Sequence, residues 1–465
     1  MNNNSKALKS GLWYTIANFL TRAVGIITTP IFTRLLTHEE FGLYNNYTSW
    51  LSLATIVVTL NLESTFISAR FDYKEKFDEY IFSTLCLSSA SAFIWIFILN
   101  LCSDWAVLHL GIDKIYLNCM MIYLLFYPAI NIFQVRERFK YEYKVSVALS
   151  FIITIGTALI SVCLVLWLPD KLMGRIFGSS IPSIIVGLVL YLYIYHKGRH
   201  IKICYWKYAL PICLPYIPHL LSLSVLNSVD RIMITKLCGA EDNALYSLAY
   251  TASCVVSILL TSLNTAYSPW LGEQLNAKRF DEIKAFSKKY IIIFSGLALG
   301  IMLISPEIIL VLGGNTYMEA KYVMPPVMLG CVCQFLYTMF VNVEQYYKKT
   351  IGMAVASVSS AIINYVLNYI MIPKYGYIAA AYTTLISFLW LQLVHMFLVY
   401  RIGHSNVYNY KFIFFAVIIM TLVSVGVNFL YEHMILRFIL LTAYIVLLCV
   451  CVYVNRNKIS MIFKK

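Results

Sequence analysis

Thr33-Arg34-Leu35-Leu36-Thr37-His38-Glu39-Glu40-Phe41-Gly42-Leu43-Tyr44 and Thr235-Lys236-Leu237-Cys238-Gly239-Ala240-Glu241-Asp242-Asn243-Ala244-Leu245-Tyr246 are one pattern written twice. At one constant offset, Thr, Leu, Glu, Leu and Tyr recur identically, and Arg/Lys, Glu/Asp and Gly/Ala recur in kind. Each copy follows an apolar helix, and in the first that helix carries a polar seam of Thr15, Asn18, Arg22, Gly25 and Thr29 before Pro30. A repeat of this kind inside apolar sequence predicts a duplicated membrane unit.

Composition sets the solvent. With 60% hydrophobic and 12% charged residues over 465 positions, the chain lies outside the range of soluble domains and is expected to be an all-α integral membrane protein. Searching outward for apolar runs of about 18 to 24 residues, the length that crosses hydrocarbon, predicts fourteen helices, the first near Leu12 and the last near Leu436. The Lys6/Lys9 start resembles a signal peptide, but no small-x-small cleavage site follows and Arg22 interrupts the run, so a retained first helix is expected. Twelve cysteines scattered in apolar segments indicate neither a disulfide framework nor a zinc site.

Charge then orients the helices. Of 36 Lys and Arg, 26 fall on one set of connections and eight, Arg34, Lys171, Arg175 and Lys236 among them, on the other, leaving Arg22 and Arg231 inside spans. This bias predicts both termini in the cytoplasm, and it accounts for the net charge of +14 without nucleic acid. Six helices separate the two copies, so they enter from the same side and the repeat is parallel. The expected division is residues 1–203 as an amino-terminal lobe of helices one to six, 204–403 as a second lobe of helices seven to twelve, and 404–465 as two further helices and a cytoplasmic tail, with a cavity between the lobes.

Polar stripes mark the expected cavity wall: Thr15, Asn18 and Thr29 on the first helix; Tyr250, Ser257 and Asn264 on the eighth; Asn364, between Ser360 and Asn368, on the eleventh. Small and hydroxylated residues equally serve close helix packing; their matching between repeats favours a shared water-filled space. Arg22 lies roughly eleven residues from either helix end, where a charge costs about 2.5 to 3.5 kcal/mol on insertion scales. It needs an anion or water beside it, or a structural pair with Asp230 across the lobes. Pro211, Pro215 and Pro218 are expected to break the start of the seventh helix, on which His219, Ser222 and Asp230 share a face. Glu63, Glu344 and His395 are candidate proton carriers, or solvated residues at helix ends in the case of the glutamates. No phosphate loop, metal-spaced cluster or sizeable soluble domain is present in the sequence, so neither an enzyme nor a cofactor is expected.

Thr29-Pro30-Ile31-Phe32-Thr33-Arg34-Leu35-Leu36, Glu39-Glu40-Phe41-Gly42-Leu43-Tyr44, and Asp230-Arg231-Ile232-Met233-Ile234 with Gly239 and Leu245-Tyr246 resemble the polysaccharide transporter branch of the multidrug/oligosaccharidyl-lipid/polysaccharide exporter (MOP) superfamily, the Wzx-type flippases, which share the MATE fold. Thr37-His38 departs from the Gly-Pro-like turn usual there, and Ala244 from a Gly. The resemblance implies a flippase that turns undecaprenyl-pyrophosphate-linked oligosaccharide repeat units to the outer leaflet for O-antigen or capsule assembly. Membrane lipid, H+ or Na+, a polysaccharide polymerase and a chain-length regulator are its implied partners. A cationic cavity would hold the pyrophosphate, with Arg22, and then Arg34 and Arg231, in that role; Asp230, His219, Glu63 and Glu344 would couple the ion. A drug antiporter of the same superfamily, or a membrane-embedded polymerase or ligase, are the competing readings.

Overall fold

A computed structural model describes residues 3–139, 143–349 and 351–454, without the side chains of 3–16, 18, 67, 139, 143, 266, 351, 448, 451, 452 and 454. All regular structure among them is helical. The chain runs through α1 (Asn3–Leu35), α2 (His38–Thr59), α3 (Phe66–Asp72), α4 (Phe77–Leu101), α5 (Ser103–Leu110), α6 (Lys114–Phe139), α7 (Tyr143–Trp167) and α8 (Lys171–Gly198). It continues through α9 (Ile203–Cys213), α10 (Ile217–Leu237), α11 (Ala240–Asn276), α12 (Phe280–Leu303), α13 (Ser305–Gly313), α14 (Met324–Tyr346), α15 (Ile351–Tyr375), α16 (Tyr377–Arg401), α17 (Tyr410–Leu430) and α18 (Met434–Val454). Eleven helical stretches among the described residues are long and apolar enough to cross a membrane, with α9 and α10 forming one of them. Together with α1, α2 and α18 they fill the fourteen expected positions.

Helices α4, α6, α7 and α8 pack on one another, as do α14, α15 and α16 with α10. Between these two bodies, α2 lies against α10 and α11. The duplicated stretches make that seal. Gly42 sits where a Cβ would fall 1.7 Å from the Ala240 carbonyl oxygen, and Asn243 Nδ2 donates to the Gly42 carbonyl at 2.8 Å. Thr33 Oγ1 donates to the Leu312 carbonyl at 2.6 Å. The Thr37-His38 turn has a local reason: Thr37 and Glu40 form a reciprocal capping box that starts α2, and the His38 ring lies 4.0 Å from that of Tyr317.

The two repeats differ below the seal. Leu60 and Asn61 both adopt positive φ and end α2, whereas α11 continues unbroken through 37 residues. The proline-rich start of the seventh span is broken as expected, by a 3-10 turn at Leu214–Tyr216 between α9 and α10. Packing partners change at that turn. α9 is tied to the first body through Lys202 to Glu79 at 2.6 Å, Trp206 to the Ser83 carbonyl at 2.8 Å and Tyr208 to Asp72 at 2.6 Å; α10 packs on α15 and α2.

Candidate functional site

Away from the seal, α1 stands clear of the second body: a Cβ added at Gly25 would meet no atom within 4 Å, and Arg22, one turn before it, is exposed. A cavity of about 250 Å³ opens here, bounded by Arg22 on one side and by α10, α11, α14 and α16 on the other. The α11 wall comes from residues three to four apart, Tyr250, Ser253, Ser257 and Thr261, which the helical period brings to one face. Asn227, Gln334 and Thr384 add amide and hydroxyl groups. Arg22 is the lining's one formally charged side chain, and no carboxylate lines the cavity among the described residues. Arg231 stacks on the outer side of this wall, its guanidinium 4.8 Å from the Tyr250 ring centroid and its Nε buried without a partner. Of the three expected arginines, Arg22 thus lines the cavity and Arg231 stacks on its lining residue Tyr250. Arg34 is exposed on the α1 turn at the seal and does not line the cavity.

Behind the wall, Asp230 is 2% exposed and accepts three hydrogen bonds: from Tyr246 Oη at 2.6 Å, Asn368 Nδ2 at 2.6 Å and Thr384 Oγ1 at 2.5 Å. Asn364 Nδ2 donates to Thr384 Oγ1 at 3.0 Å, and Thr383 donates to Asn368. The α15 stripe is therefore directed at this carboxylate rather than at the cavity. With donors from α10's neighbours in each position, Asp230 has no ion pair to Arg22 among the described residues, and the inter-lobe salt bridge that the sequence left open is not formed.

The remaining expected residues fall as follows. Tyr250 and Ser257 line the cavity. Thr29 is buried, its hydroxyl returned to the Gly25 carbonyl at 2.8 Å; Asn264 accepts from Asn342 at 2.7 Å; the side chains of Thr15 and Asn18 lie outside the described residues. His219 Nδ1 meets Ser357 Oγ at 2.9 Å, and Glu63 accepts from Asn131 at 2.5 Å. Glu344 is 1% exposed, not a solvated helix end, with His395 Nδ1 at 2.8 Å from its Oε1. Arg175, expected in an outer connection, instead lies inside α8.

The family model described as "Polysaccharide biosynthesis protein" matches residues 7–275, and the MatE model matches 215–370. "Lsg locus putative protein 1" of Haemophilus influenzae is 25% identical over 376 residues, covering 77% of this chain and 89% of that protein. Among solved structures, the lipid II flippase MurJ in an inward closed conformation superposes with a TM-score of 0.70 at 15% identity, covering 96% of this chain and all of that one. A multidrug resistance MATE family transporter of the MOP superfamily, in an inward-facing conformation, gives 0.63 at 14% identity, with 83% and 95% covered. At such identities these likenesses speak to the fold, which is that of MurJ and the MATE transporters.

Proposed function

Because the chain belongs to the polysaccharide biosynthesis protein family, we propose that it is a flippase that moves undecaprenyl-pyrophosphate-linked oligosaccharide repeat units from the cytoplasmic to the outer leaflet, for O-antigen or capsular polysaccharide assembly. The observation that carries this reading is the charge of the cavity: Arg22 faces it, Arg231 backs it, and no carboxylate lines it among the described residues. An exporter of organic cations needs the opposite sign. A guanidinium pairs with phosphate oxygens through two parallel donors, which suits a pyrophosphate, while the hydroxyls and amides of Ser257, Thr261, Asn227 and Gln334 suit sugar.

In this reading the lobe 1–203, carrying α9 with it, and the rest of the lobe 204–403 rock about the 3-10 turn at Leu214–Tyr216, the sealed end faces outward, and both termini lie in the cytoplasm of a bacterial inner membrane. Transport requires no catalytic step. The coupling ion, H+ or Na+, binds at Asp230, the buried carboxylate of α10, and His219, Glu63 and Glu344 serve as further proton carriers. Arg34 meets the pyrophosphate only at the outer mouth. A polymerase and a chain-length regulator act on the product.

The test is Arg22→Ala. Each charged hydrogen bond lost costs about 1.5 to 3 kcal/mol, or roughly ten- to a hundredfold. The variant is expected to reach the membrane in normal amount, lose surface polysaccharide and accumulate lipid-linked repeat units on the cytoplasmic leaflet, with Arg22→Lys retaining part of the activity. Normal surface polysaccharide in Arg22→Ala cells would overturn the anion site.

A further inference from the structure

At the end of the second lobe opposite the seal, the ends of α14 and α16 and the start of α15 enclose a second cavity of about 480 Å³, lined by Glu344, Lys348, Lys349, Gly352, Leu398 and Arg401. Local backbone chemistry sets its cations. α14 closes with Lys348 at positive φ and a bond from the Lys349 amide back to the Glu344 carbonyl at 2.9 Å, the helix-ending arrangement that holds both lysines beside the last turn. Arg401 occupies the last turn of α16. None of the three is ion-paired among the described residues.

Three basic residues at helix carboxyl ends have an ordinary explanation in the helix dipole and in cytoplasmic charge bias. That explanation leaves Glu344 out. Its Oε1 meets His395, but its Oε2 is buried with no partner, an acceptor without a donor beneath a ring of cations. The ligand that satisfies both carries a phosphate and, a few bonds away, an ammonium with three donors. Tyr346 and Tyr400, in the same last turns of α14 and α16, are exposed, as aromatic residues are at headgroup level, and basic pockets between helices at that depth take lipid headgroups.

We propose that this cavity binds the headgroup of an aminophospholipid, with phosphate among Lys348, Lys349 and Arg401 and the primary ammonium directed to Glu344 Oε2. The leaflet it draws from follows from the orientation proposed above; the binding itself does not depend on that orientation or on flippase activity.

Native mass spectrometry of the full-length protein tests it, with phosphatidylethanolamine, phosphatidylcholine and phosphatidylglycerol of the same acyl chains and with inorganic phosphate as probes. Phosphatidylethanolamine is expected to be retained about tenfold better than phosphatidylcholine, the factor that one charge-assisted hydrogen bond supplies. Glu344→Gln should erase that preference while phosphatidylcholine still binds, which also shows that the variant is folded. Lys348→Gln combined with Lys349→Gln should weaken both lipids, and Lys278→Gln, on another connection, neither. Equal retention of phosphatidylglycerol, displacement of lipid by inorganic phosphate, or an undiminished preference in Glu344→Gln would each overturn the proposal.

Discussion

The Arg175 guanidinium lies 3.6 Å from the Phe32 ring centroid and 4.3 Å from that of Tyr44, with its Nε buried and unpartnered, so α1, α2 and α8 meet around a cation held by ring faces. Asp230 shows the complementary solution, a carboxylate held by three neutral donors. These arrangements make Arg22 and Asp230 independent, and a double-mutant cycle should say so. If each acts at its own site, the effects of Arg22→Ala and Asp230→Asn on surface polysaccharide add within about 0.5 kcal/mol; recovery of function in the double variant would restore the salt-bridge alternative. Arg22 and Asp230 were legible in the sequence because a charge inside an apolar run is conspicuous. Arg175 was not, because four residues after Lys171 it reads as part of a charged connection. Nor was the burial of Glu344, whose partner His395 lies 51 residues along the chain.

At the scale of elements, apolar run length was enough to place about fourteen helices, eleven of them long and apolar enough to cross a membrane among the described residues, and the three prolines were enough to find the broken seventh. The break after α2 escaped, because positive φ is met there by Leu60 and Asn61 rather than by a glycine that would have announced it. The repeat itself was visible as sequence, while its purpose depends on a contact between the copies. Gly42 passes so close to Ala240 that any side chain there must force α2 and α11 apart. Overpacking of this kind costs about 1 to 3 kcal/mol, borne by the sealed state alone. In a cysteine-free background carrying Ser257→Cys, Gly42→Val should therefore raise labelling of the cavity by an impermeant thiol reagent in intact cells roughly five- to 150-fold. Unchanged labelling would mean that the seal does not depend on this approach.

Over the whole molecule, charge and contact describe the same axis independently. The sparsely charged connections carry Arg34, Lys236 and Lys321, and two hydrogen bonds that join α1 and α2 to the helices beyond α10, Thr33 to Leu312 and Asn243 to Gly42, lie at that end. The basic connections carry Lys202, Lys278 and Lys348, and Arg22 lies on the part of α1 that precedes the seal and is exposed. If the charge bias sets orientation, the sealed end is outside, and an anionic headgroup approaches from the cytoplasm toward a cavity of matching sign. A cysteine at Asn315, exposed beside the seal, should then react with an impermeant reagent in intact cells. One at Ser405, in the connection after α16, should react only once the membrane is permeabilised. The reverse result would turn the protein over in the membrane, so that the cavity faced outward and the flippase reading would have to run from the wrong leaflet; labelling at both positions in intact cells would mean that α14, α15 and α16 do not cross as the hydropathy and the fold require.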